Sequence, residues 1–258
     1  MNALKSLGTR DDMKRPFPIF SLLVIAILAY GLLIPTLGFY WDDLPMSWIR
    51  YQLGPEAMTR YFSTNRPVLN VMYQIATRIL PQQPIYWQIL ALIWRWLGAL
   101  LVWGIVRRLW PHLALGASLL FLVYPGFNGQ WASYVFGFFL LILCFYLVSI
   151  FLMLQRKPVF TVLALLFSAL NLWVLEYFFV LELARGIVIW FWLRDEYPDI
   201  RQRLRAGLRV WFPYLIIFAS AVLYRSLVFN NQTYQLGLKD QLIRAPLQTL
   251  IDLAQSVV

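Results

Sequence analysis

Charge is the scarcest commodity in this chain: only 13% of its 258 residues are Asp, Glu, Lys or Arg, about half the share of an ordinary soluble domain. There is one cysteine, Cys144, inside an apolar run, so neither an intramolecular disulfide framework nor a cysteine metal site can form. The single histidine, His112, stands beside Pro111 at the mouth of an apolar run and reads as a boundary residue. Phosphate-binding glycine loops, His/Cys metal spacings and serine-nucleophile motifs are all missing. The net charge of +10 comes from short basic clusters between apolar runs. Those clusters form no continuous stripe, which argues against a nucleic-acid partner. No small-residue cleavage site follows the first apolar run, so 17–39 reads as a retained helix and not as a secretory signal.

What the chain has in excess is apolar surface. Hydrophobic residues make up 61% of it, with 12 Trp and 14 Tyr, and the mean hydropathy is +0.65. Aromatic rings of this kind favour the headgroup level of a bilayer. The composition predicts an all-α, polytopic transmembrane helical bundle, a single membrane domain over 1–258. At 1.5 Å per residue, 17–39 reaches roughly 34 Å, enough to cross a hydrocarbon core of about 30 Å. Further candidates are 87–106, 112–124, 134–154, 159–175, 177–193 and 211–229, about seven crossings in all. The stretch 68–80 is too short and polar to span. Its Val71, Ile75 and Ile79 recur on one face, with Asn70, Gln74 and Arg78 beside them, a pattern that suits an amphipathic helix lying in the interface.

With 68–80 on the surface, Lys5, Arg10, Lys14, Arg15, Arg107, Arg108, Arg156, Lys157, Arg194, Arg201, Arg203, Arg205 and Arg209 fall on one side. The positive-inside bias makes that side cytoplasmic. This predicts a multi-pass protein of the plasma (inner) membrane, N-terminus inside, with the outer loop 40–86 carrying the candidate active site.

Adjacent carboxylates Asp42 and Asp43 open that loop. They read either as solvated charges ending a helix or as a general base whose pKa is raised by its neighbour. The same pair could hold a divalent cation through hard oxygen ligands. Arg66, at the start of the surface helix, could meet a phosphate at headgroup depth or simply snorkel as an anchor. Arg95 lies within a span, where an unpaired charge costs at least about 3 kcal/mol. Glu176 and Glu182 are the candidate partners, and Glu182 also has Arg185 at i+3. The turn 124–131 offers the amides of Asn128 and Gln130 among aromatics, a combination that suits sugars or a plain interface turn. Asn231-Gln232-Thr233 matches a glycosylation sequon.

The order of Trp41-Asp42-Asp43, Asn65-Arg66-Pro67, the Arg95 region, Val106-Arg107-Arg108-Leu109-Trp110 and Tyr124-Pro125 resembles the GT-C class of membrane glycosyltransferases. The likeness is greatest to the family of protein O-mannosyltransferases and the bacterial lipid A aminoarabinose transferase. It implies a sugar taken from a polyprenyl-phosphate carrier and passed to a lipid, glycan or protein acceptor on the outer face. Asp42 or Asp43 would be the base, Arg66 and Arg95 the groups that neutralise the departing phosphate, and Asn128, Gln130 and Glu176 further substrate contacts. The family's acidic residue in the second outer loop is missing here, so Glu176 would have to take its place. The resemblance also implies an N-terminal module of a longer enzyme. Two other readings stay open: a transporter or flippase for a lipid-linked or amphipathic solute, suggested by intramembrane charge, and a non-catalytic membrane subunit.

Overall fold

The computed structural model describes residues 17–63, 66–124 and 129–228. These are helical, with no strand among them. The first helix, α1 (Phe17–Ala26), continues through a π turn at Ile27–Gly31 into a 3-10 turn at Ile34–Thr36, where Pro35 has no N–H to carry the helix further.

The segment between the first two long apolar helices contains three helices where the sequence pattern predicts one. They are α2 (Asp43–Leu53), α3 (Glu56–Phe62) and α4 (Pro67–Ile79). Gly54, at φ +80°, ends α2 in a conformation that a side chain would strain. Pro67 opens α4 where its missing N–H costs nothing. The expected amphipathic helix is therefore present. Its polar face is turned onto α3: Asn70 Nδ2 donates to the Thr59 carbonyl at 3.3 Å, and Gln74 and Arg78 both bond Glu56. Val71, Ile75 and Ile79 point outward.

The remaining helices are α5 (Pro84–Leu109), α6 (Ala114–Val123), α7 (Ser133–Met153), α8 (Pro158–Val174), α9 (Leu181–Trp192) and α10 (Ile200–Leu223). Four stretches are long and apolar enough to cross a membrane: Pro18–Thr36, Pro84–Leu109, Ser133–Met153 and Ile200–Ser226. A fifth crossing results if Pro158–Val174 and Glu176–Trp192, bent by 119° at their junction, count together. Pro111–Val123 is apolar but shorter. The chain is thus a helical membrane protein with four to five such segments by length. Of the seven stretches that the sequence pattern marks, those over 112–124, 159–175 and 177–193 fall on the shorter helices α6, α8 and α9, none of which reaches that length by itself.

The bundle has two chemically distinct ends. At one, the Trp110 ring meets Phe191 at 4.9 Å and Arg108 lies over Phe151. Arg156 bonds Glu196, and Arg203 donates to the Arg194 carbonyl at 3.3 Å. The basic residues of four separate segments therefore meet at one end, as the spacing predicts. The Arg156–Glu196 pair also fixes the course of α8 and α9, since it joins the residues just before α8 to those just after α9. The pair leaves this end and returns to it. At the other end, Gln88 Nε2 of α5 donates to the Trp131 carbonyl at 2.8 Å, and the acidic pair lies close by.

Candidate functional site at the Asp42–Asp43 end

The two adjacent aspartates have opposite environments. Asp43 is fully buried. Its Oδ2 accepts the Tyr134 N–H at 2.9 Å and the Ser133 hydroxyl at 3.5 Å, and its Oδ1 accepts the Val135 N–H at 3.0 Å. These donors are the first residues of α7, so Asp43 supplies the anion that a helix N-terminus lacks and ties α2 to a candidate span. Burial pushes its carboxyl up to about 6, against the pull of the Tyr134 and Val135 amides and the Ser133 hydroxyl and with a smaller push from Asp42. Asp42 precedes α2, makes no capping hydrogen bond of its own and is exposed. Trp41, just before it, adopts φ +50°, a backbone region that costs a bulky residue on the order of 1–3 kcal/mol. Its ring stacks on Phe136 at 5.9 Å and 15°. One aspartate is consumed in holding the loop to the bundle, and the other is presented on a braced turn.

Around them is a polar shell at the same end. The Arg66 Nη2 donates to the Tyr177 hydroxyl at 3.4 Å and the guanidinium lies over the Tyr177 ring, joining the start of α4 to the turn between α8 and α9. Tyr73 lies within electrostatic reach of Arg66, Asp43, Tyr134 and Asp42, and burial raises its phenol above the usual range. Arg50 donates to the Leu80 carbonyl at 2.5 Å. Buried atoms with no hydrogen-bond partner among the described residues include, at this end, Gln88 Oε1, Asn70 Oδ1, Arg50 Nη1, Arg66 Nε, the Tyr134 hydroxyl and both amide atoms of Gln130. Each such atom costs about 1–3 kcal/mol if left dry. Several of them at one end amount to unused hydrogen-bonding capacity. Gln130 is positioned by the 3-10 turn Gly129–Trp131, where a Cβ on Gly129 would stand 2.6 Å from the Phe136 ring, so only glycine lets the turn come this close.

The predicted partners of Arg95 are engaged elsewhere. Glu176 pairs with Arg225 at 2.5 Å. Glu182 pairs with Arg185 at 2.8 Å and accepts the Trp211 indole N–H at 2.9 Å. Arg95 is instead buried with its guanidinium 4.1 Å from the Tyr30 ring centroid. It lines a cavity of about 340 Å³ with Ala117, Leu120, Phe121 and Tyr124. The i+3 expectation for Glu182 and Arg185 holds. Glu176 is thereby engaged by the turn that follows α10.

The donor set does not make Asp42 and Asp43 a cation site. Asp43's oxygens are occupied by N–H and O–H donors, and among the described residues no three His, Cys, Asp or Glu side chains gather. Asn128, Asn65 and the sequon at Asn231 lie outside the described residues. The chain matches no family model, and neither a curated protein nor a solved structure is significantly similar to it. The site therefore rests on its own geometry. Sequence reasoning missed Tyr73, Arg50 and Gln88. Gln88 carries the only available signal, a polar amide in an otherwise apolar run.

Proposed function

We propose that this chain is a GT-C type glycosyltransferase, passing a sugar from a polyprenyl-phosphate carrier to an acceptor on the outer membrane face. The observation that carries the reading is the division of labour between the aspartates: Asp43 is held by the start of α7, and Asp42 is accessible beside it. Asp42 acts as the base. It takes the proton of the acceptor hydroxyl as that oxygen attacks the anomeric carbon, and the bond from that carbon to the phosphate oxygen breaks with inversion. The electron pair leaves on the phosphate, and Arg66 faces the growing charge. Asp43 positions Asp42 and does not itself accept the proton.

The other substrate contacts follow from the unused polar atoms. Gln130, both of whose amide atoms are unpartnered, reads sugar hydroxyls together with Asn128. Arg95, in its mainly apolar cavity, attracts the phosphate of a carrier whose prenyl chain lies in the bilayer. Glu176 retains a weaker claim because Arg225 engages it. The chain lies in the plasma (inner) membrane with about seven crossings and its N-terminus in the cytoplasm. The two-ended distribution of charge and the course of α8 and α9 support that topology. Of the charges that motivate the transporter reading, Glu182 and Glu176 are paired with Arg185 and Arg225, which favours the transferase reading.

The test uses the protein in lipid vesicles with a labelled polyprenyl-phosphate sugar and membrane acceptors. Asp42→Asn should abolish transfer while the protein stays folded and still binds the carrier. Transfer equal to wild type in Asp42→Asn, or no transfer from any such donor, would remove the assignment.

A further inference from the structure

The helix α2 has two apolar faces, and among the described residues only one of them has a partner. Asp43, Met46 and Ile49 are turned inward, the last two packed with Tyr73, Trp87 and Tyr134. On the other side Trp41, Leu44, Trp48 and Tyr51 are 58%, 56%, 55% and 68% exposed. Leu44, Trp48 and Tyr51, spaced four and three apart, stand on one stripe of α2, and Trp41 adjoins it from the turn just before the helix. A patch of two tryptophans, a tyrosine and a leucine is costly to leave in water, about 25 cal/mol for each Å² of apolar surface, and it is the composition favoured at a bilayer interface.

We infer that α2 is seated in the bilayer interface at this end of the bundle, with Trp41, Leu44, Trp48 and Tyr51 in lipid, and that this seat holds Asp42 at the depth of the lipid phosphates. Three features make lipid the occupant. The helix is tied to the first turn of α7, a candidate span, by the Asp43 bonds and by the stacking of Trp41 on Phe136, so it starts at the level where that span ends. The outward faces of the preceding span, with Leu28, Leu32 and Leu33 at 60–65% exposure, run into Tyr40 and Trp41 with only the 3-10 turn between, so the stripe extends a surface that already faces acyl chains. The apolar face of α4, with Val71, Ile75 and Ile79, is exposed on the same outer segment and gives a second, independent contact with the same layer. The catalytic meaning of Asp42's depth rests on the transferase reading; the seating of α2 does not.

The experiment is nitroxide labelling of the full chain in vesicles of phosphatidylcholine and phosphatidylglycerol, on a Cys144→Ala background. Labels go at Leu44→Cys, Trp48→Cys, Tyr51→Cys and Asp42→Cys, with Leu28→Cys as the acyl-chain reference and Asp195→Cys as the aqueous reference. Oxygen accessibility should exceed that of a nickel chelate at 44, 48 and 51, as at 28, and Asp42→Cys should fall between the two references. Nickel accessibility like that of position 195 throughout α2 would overturn the proposal. So would shielding from both agents with spin–spin broadening, which would mean a second copy of this chain covers the stripe. In the unlabelled protein, Trp48→Phe should remove part of the tryptophan quenching caused by brominated lipids; no change would count against the seat. None of these readouts needs a donor or acceptor, so their failure is separable from a failure of the transfer assay.

Discussion

Two polar clusters lie in this largely apolar chain, and they are built on opposite terms. In the first, between α7, α8, α9 and α10, all three nitrogens of the Arg185 guanidinium are used, and the Tyr214 hydroxyl has no partner among the described residues. Arg185 gives Nε to Glu182 at 3.0 Å, Nη1 to the Ser149 hydroxyl at 3.0 Å and Nη2 to the Ser168 hydroxyl at 3.2 Å, and its guanidinium covers the Tyr214 ring. Glu182 also accepts from Trp211, which reaches it across Gly186, where a Cβ would stand 2.8 Å from the indole. In the second, around Asp42, buried amide atoms of Gln88, Asn70 and Gln130 are left without partners. A cluster whose charges are all paired fastens helices, because a charged ligand would have to displace a bond already made. An unsaturated one can bind something. Intramembrane charge alone, the usual pointer to function, would single out the first cluster, where the charges are already paired.

The comparison breaks most sharply at Arg185. Arg185→Met leaves Glu182 buried without its cation, and thermal unfolding in detergent should show a loss on the order of 3–5 kcal/mol. Adding Glu182→Leu should recover much of it. Asp42→Asn should leave that unfolding curve in place while cutting transfer by about 10²–10⁴-fold, the range of a lost general base. A parallel loss of stability would mean that Asp42, too, is a fastener.

Asp43 sharpens the contrast through pH. Its folded-state carboxyl, at about 6, lies above the ordinary value of 3.8, so the fold favours the protonated form. The stability this contributes is complete below about pH 4 and is lost as pH rises through 6. Unfolding of wild type minus Asp43→Asn, followed from pH 4 to 7, should therefore decline over that window; a flat difference would show that the amides of α7 hold the carboxyl near its ordinary value. The smallest effect is expected at Gln130→Ala. It removes two unpartnered atoms, so stability should change by less than about 1 kcal/mol while the KM for the sugar donor rises several-fold.

Much of the frame was legible in the sequence because it is written in local patterns. The 68–80 periodicity marks α4 within one residue at each end, the i+3 spacing of Glu182 and Arg185 is a real pair, and the gathering of Arg108, Arg156, Arg194 and Arg203 at one end follows from counting apolar runs. What stayed hidden depends on distant segments. The difference between Asp42 and Asp43 is set by the amides of Tyr134 and Val135, which no local pattern around residue 42 announces. Glu176 and Glu182 each have another cation within reach, Arg225 in the turn that follows α10 and Arg185 on α9, and neither pairing is written in the pattern around Arg95. The stripe on α2 is present in the spacing of Leu44, Trp48 and Tyr51, but Pro45 and the short length hide the helix that carries it.

The bonds from Asp43 to the start of α7 also set an order of events. They join residues 91 and 92 positions apart, so during synthesis α2 can reach its final place only after α5, α6 and the first turn of α7 have been delivered to the membrane. Until then the carboxyl has no helix end to cap and Asp42 has no fixed position. The acidic end is therefore completed late, after most of the bundle around it has been made.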